Sequence, residues 1–154
     1  MHASLLTRQV GNTAVSAIGL GTAYYGVTEP DEERFKLLNA AYEEGCTFWD
    51  TADVCGNSEE FIGKWYAFLY LSIALLAKIK SRFRHTGKRD EIFLATKFGP
   101  MDFSTTSVDP EHNVKFAFEK SIKRLGVETI DLYYLHSTDD DVSIEVDLCR
   151  TIRG

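Results

Sequence analysis

Cysteine is scarce, and its placement excludes more than it suggests. Cys46, Cys55 and Cys149 are an odd number at no metal-like spacing, which argues against a disulfide framework and a zinc site and reads as reduced thiols in a cytoplasmic protein. Positive charge is in deficit: 17 basic against 23 acidic side chains leave a net charge of −6, so a nucleic-acid surface is not expected. Long apolar runs are missing as well. The longest, Tyr66 to Ala77, falls short of the ~20 residues a bilayer span needs, and the opening MHASLLTRQVGN holds too short an apolar stretch for a signal-peptide core. No membrane association is expected. Gly19, Gly21 and Gly26 lack the Gly-x-Gly-x-x-Gly spacing of a dinucleotide-binding turn.

What remains is the composition of one soluble globular domain, 44% hydrophobic and 26% charged over 154 residues. Its elements alternate. Val15 to Thr22 reads as a first strand, followed by a helix from Asp31, as N-cap after Pro30, to Gly45. A second strand ends in Phe48-Trp49-Asp50, and Asn57 or Ser58 caps a second helix with Glu59 and Glu60 in its first turn. Asp90 to Gly99 reads as a third strand, Asp109-Pro110-Glu111 opens a third helix reaching about Gly126, and Ile130 to His136 reads as a fourth strand. Strands alternating with helices in this way imply βα units around a parallel sheet.

The parity of these strands points to a site. Alternate residues of a strand share a face, so Asp50 lies with Phe48, Lys97 with Ala95 and Phe93, and His136 with Tyr134 and Leu132. Each of three successive strands thus carries one ionisable group at its carboxyl end, above apolar neighbours. In a (β/α)₈ barrel those ends converge where chemistry is built.

The stretch TFWDTADVCGNSEEFIGKW at Thr47 to Trp65, with IGLGT at Ile18 to Thr22, LATKFG at Leu94 to Gly99 and SIKRLGVETIDLYYLH at Ser121 to His136, resembles the aldo-keto reductase family. The resemblance implies an α/β fold, a partial (β/α)₈ barrel of about four βα units, and an NADP-dependent oxidoreductase acting on the carbonyl groups of small molecules. The family uses an Asp, Tyr, Lys and His tetrad. Asp50, Lys97 and His136 match three of these, and Cys55 stands at the position of the proton-donating Tyr. By the same resemblance Asp50 and Thr22 lie beside the nicotinamide, Asp50 holds Lys97 as an ion pair, and His136 orients the substrate carbonyl. Tyr24 and Tyr25 follow the first strand near the same mouth, where a loop aromatic is more often packing or a substrate contact than a substitute for the absent phenol.

Three features depart from the family pattern. Cys55 lacks the phenol; residues 66–81 form an apparent insertion, either a lengthened second helix or non-coding sequence or another gene-model artefact carried into the chain; and in the atypical tail 137–154 Val142, Ile144, Val146 and Leu148 alternate like a strand where a helix is expected. A whole barrel takes ~200 residues or more. The alternative function is therefore a non-catalytic remnant or an interaction or auxiliary protein, whose exposed sheet edges pair with another copy or with a complementing partner. The basic cluster Arg82, Arg84, Lys88 and Arg89 reads as a solvated helix end and loop.

Overall fold

Gly11 and Asn12 make a two-residue turn, with Gly11 at a φ of 58°, a conformation a residue without a Cβ adopts freely. The turn pairs Thr7–Val10 (β1) with Thr13–Ser16 (β2) as an antiparallel hairpin. Four parallel strands follow: Gly19–Gly21 (β3), Phe48–Asp50 (β4), Phe93–Phe98 (β5) and Leu132–Leu135 (β6), hydrogen-bonded in that order. The helices Asp31–Glu43 (α1), Ser58–Ala77 (α2) and Pro110–Leu125 (α3) connect them, with a 3₁₀ turn, Lys88–Glu91, before β5. The computed structural model describes residues 5–23, 30–77, 88–99 and 110–137. This is the expected α/β architecture, a partial (β/α)₈ barrel.

The first strand differs from expectation. Val15 and Ser16 belong to the hairpin, and the parallel sheet begins only at Gly19. Ser16 explains the break: its hydroxyl donates to Ile18 O (2.7 Å) and accepts from the N–H groups of Thr47 (2.9 Å) and Phe48 (3.1 Å). One side chain thus turns the chain and docks the hairpin against the start of β4. Asp31 also differs, being the first helical residue rather than the N-cap. Pro30 takes the cap position without a side-chain bond, and the Asp31 carboxylate pairs with Lys64 Nζ at 2.7 Å. Arg89 is not a solvated loop residue. Its guanidinium bonds Ile92 O (2.6 Å), Thr129 O (2.8 Å) and Asp131 Oδ2 (2.7 Å), stapling the entries of β5 and β6 together. Gly45 does close α1: at a φ of 80° it donates to Tyr42 O, and Cys46 donates to Ala41 O, the paired bonds of a Schellman end.

The part of the apparent insertion that is described continues α2 to Ala77; residues 78–81, Arg82, Arg84, Tyr24, Tyr25, Cys149 and the tail from residue 138 lie outside the described residues. Tyr66 and Leu69 pack against the core, and no helix among the described residues is long and apolar enough to cross a membrane.

The core lies between the helices and the outer face of the sheet. Trp49 of β4 and Leu94 of β5 meet Leu38, Phe61, Ile62, Trp65 and Leu125. Both buried indoles are satisfied, Trp49 Nε1 by Cys46 O and Trp65 Nε1 by Asn39 Oδ1, as burial of a polar ring atom requires. A buried carboxylate ties the same layer together. Glu59, 1% exposed, accepts from Thr96 Oγ1 (2.7 Å) and from Arg124 Nε (2.6 Å), joining α2 to β5 and α3. Where α2 crosses the end of α3, Gly63 removes the side chain that would obstruct it: a Cβ there would lie 2.5 Å from Arg124 O and 2.9 Å from Leu125 O.

Two outcomes follow for stability. Gly63→Ala gains helix propensity of about 1 kcal/mol but drives a methyl into fixed backbone, so a net loss of about 1–3 kcal/mol is expected; an unchanged or raised thermal midpoint would show that the two helices separate freely. The second concerns alkaline pH. Burial, the hydrogen bond to Glu91 and that carboxylate's charge push the Tyr42 phenol up to about 12, and burial pushes Tyr66 up as well. Phenols titrate near ~10 when unfolded, so the folded chain binds the extra protons. This contribution is complete below pH ~10 and is lost as pH rises through about 12. Urea unfolding at stepped pH should show stability falling across that window, and less steeply for Tyr42→Phe.

Candidate active site

The carboxyl end of the sheet gathers charge on its inner face. Parallel pairing sets Asp50 beside Ala95, Ala95 beside Leu132, and Lys97 beside Tyr134, so these side chains leave the sheet on one side. Phe48 and Phe93 lie one layer below, ring centroids 5.5 Å apart. They form an apolar floor.

On that floor Lys97 Nζ lies 2.5 Å from Asp50 Oδ2 and 2.7 Å from Thr51 O. Burial works to lower the Lys97 pKa, yet its hydrogen bonds to Asp50 and Tyr134 and the charge of Asp50 outweigh this and hold it above the ordinary value. Lys97 is therefore an ammonium at neutral pH. The other carboxylate oxygen of Asp50 accepts from the Tyr134 hydroxyl at 2.7 Å, and Lys97 Nζ stands 5.2 Å from the centre of the Tyr134 ring. Asp50 is thus held from both sides, by a cation on β5 and a phenol on β6.

The sequence-derived residues are placed unequally. Asp50 and Lys97 are in contact. His136 follows β6, its N–H bonded to Phe98 O at 2.7 Å, while its buried Nδ1 has no hydrogen-bond partner; it makes no hydrogen bond to Asp50 or Lys97. Cys55 begins the turn into α2 and is 3% exposed. Burial pushes its thiol up, with Lys97 opposing and Asp50, Asp53 and Glu59 adding to the rise, so Cys55 is a neutral thiol. Thr22 is 4% exposed. Its hydroxyl bonds Asp50 O (3.1 Å) and Ser58 Oγ (2.6 Å), and Ser58 in turn meets Thr51 Oγ1 at 2.7 Å. These three hydroxyls lock the ends of β3 and β4 to the start of α2.

Tyr134 is the group that sequence reasoning passed over. Parity had placed it on the face of His136, but its contact with Asp50 depends on the lateral register of two strands across β5. The pairing of Lys97 with Tyr134 is the signal that finds it.

Comparison with known proteins identifies the family. Residues 17–152 match the sequence model of the Aldo/keto reductase family. The chain is 43% identical over 151 residues to aldo-keto reductase str7 of Strobilurus tenacellus. It is 38% identical over 153 residues to aldo-keto reductase yakc of Schizosaccharomyces pombe, whose name specifies NADP(+). Each match covers 92% of this chain and 39% of the relative. Among solved structures, the thermostable aldo-keto reductase Tm1743, in complex with the inhibitor epalrestat, superposes with a TM-score of 0.71 at 27% identity, covering 97% of this chain and 49% of Tm1743. The chain thus spans less than half the length of these relatives. With parallel βα order, an Asp–Lys pair at the strand ends and a family match over nearly its whole length, the chain belongs to the aldo/keto reductase family, a family of oxidoreductases.

Proposed function

We propose that this chain carries the carbonyl-activating side of an NADP-dependent oxidoreductase site for small-molecule carbonyl compounds. The observation that carries the reading is the Asp50–Lys97 pair, seated at the sheet's carboxyl end over apolar rings. The NADP assignment draws on the name of the yakc relative.

The residues fit the nicotinamide end of such a cofactor in part. A carboxylate offers about four lone-pair positions, of which Lys97 and Tyr134 use two; with its side chain 32% exposed, Asp50 can accept a further donor. The Thr22 hydroxyl is already bonded and buried, so its contribution is to fix the Asp50 backbone from below. NADPH, when bound, supplies hydride to the carbonyl carbon. Lys97, its side chain 14% exposed, would then face the negative charge that develops on the oxygen, and a fixed charge of this kind stabilises the transition state more than the ground state. The carbonyl-orienting role comes to His136 from the family resemblance alone, since its Nδ1 is buried without a hydrogen-bond partner.

Lys97→Met removes the charge while keeping most of the stem. A roughly 10²- to 10³-fold loss of NADPH-dependent aldehyde reduction is expected, with the circular dichroism spectrum retained. Equal rates for the folded variant and the parent would remove Lys97, and with it this reading.

A further inference from the structure

A carbonyl reduction needs a proton for the developing alkoxide, and the residue at the family's donor position does not meet the requirements. Cys55 is 3% exposed, so its thiol is sequestered from a ligand at the mouth, and S–H is a weak donor. Four properties are required of a replacement: a strong O–H, protonated at neutral pH, reachable from the mouth, and close to a cation that stabilises the conjugate base. Tyr134 has all four. Its hydroxyl already touches the Asp50–Lys97 pair, the residue is 36% exposed, and its backbone is pinned opposite Lys97 by strand pairing. A donor on a paired strand is also better fixed than one on a loop, and sub-ångström placement governs proton transfer.

We propose that Tyr134 is the hydrogen-bond and proton donor to the substrate's carbonyl oxygen, in place of Cys55. This rests on the carbonyl-reducing reading above. At rest the phenol proton lies in the bond to Asp50 Oδ1. A carbonyl oxygen arriving at hydrogen-bond distance competes for it, and rotation about the phenol C–O bond is enough to redirect it, because Lys97 continues to hold Asp50. With hydride delivered to carbon, the C=O π pair passes to oxygen, the Tyr134 O–H bond breaks and the alcohol O–H bond forms. The phenolate left behind is disfavoured by burial and by Asp50 and favoured by Lys97. The transfer still runs forward, since an alkoxide is a stronger base than a phenolate. Water at the mouth returns the proton, as the exposure of Tyr134 allows.

The test reads the bond itself. Carbonyl-¹³C benzaldehyde is titrated into the 154-residue chain, and the bound C=O stretch is followed by isotope-edited infrared difference spectroscopy, without cofactor. Tyr134→Phe should move the bound stretch to higher frequency through loss of its donor, and Cys55→Ala should leave it in place. If the aldehyde binds saturably but its stretch responds to Cys55→Ala, or to neither change, Tyr134 is not the donor and the carbonyl site stands. If the aldehyde shows no saturable binding, the carbonyl-reducing reading falls and this inference with it. Where turnover is measured, Tyr134→Phe should lower kcat by about 10²- to 10⁴-fold with little change in KM; a residue that only braced Asp50 would leave the stretch of the bound aldehyde unmoved.

Discussion

The parallel register of β4, β5 and β6 is the constraint on which the mouth of this sheet depends. It sets Asp50 level with Ala95 and Lys97 level with Tyr134, so the lysine reaches down to the carboxylate past a residue with only a methyl group. A larger side chain at Ala95, itself fully buried, would fill the space between them. A one-residue slip would turn Lys97 into the helical layer and replace it with Thr96 or Phe98. The ion pair is a product of backbone pairing before it is a product of charge.

The outer layer enforces that register by a second carboxylate. Glu59 is buried, and an unpaired buried charge is costly, so it is stable only while Thr96 and Arg124 reach it. Both do so only when β5 and α3 lie where the inner face needs them. Thr96 is the neighbour of Lys97 on the same strand, pointing the other way. The two faces of β5 therefore anchor to different carboxylates one residue apart, and neither can shift without disturbing the other.

Much of this was readable along the chain. Asp50 and Lys97 announce themselves because each ends an apolar strand with the same parity, and period-2 alternation survives in sequence. Gly45 was equally legible as a helix stop. The hairpin was not: Val15 to Thr22 reads as one short, mostly apolar run, and only the Gly11-Asn12 turn before it and the tertiary bonds of Ser16 divide it. Arg89 looked like part of a solvated basic cluster because its three acceptors come from the far side of α3, at Thr129 and Asp131, or from a backbone carbonyl. Tyr134 was hidden for a related reason. Strand parity tells which face a side chain takes, whereas contact across β5 requires knowing which residue lies beside which.

The hairpin docked through Ser16 makes the two ends of the sheet unlike. At the amino end the N–H groups of Thr47 and Phe48, at the entry to β4, are taken up by that hydroxyl, and Val15 and Ser16 are buried. At the carboxyl end Asp50 and Tyr134 remain in touch with solvent. Among the described residues, the polar groups open to water therefore gather at the carboxyl end, and a change in the solvent reaches Asp50 and Tyr134 before it reaches the hydroxyl that docks the hairpin.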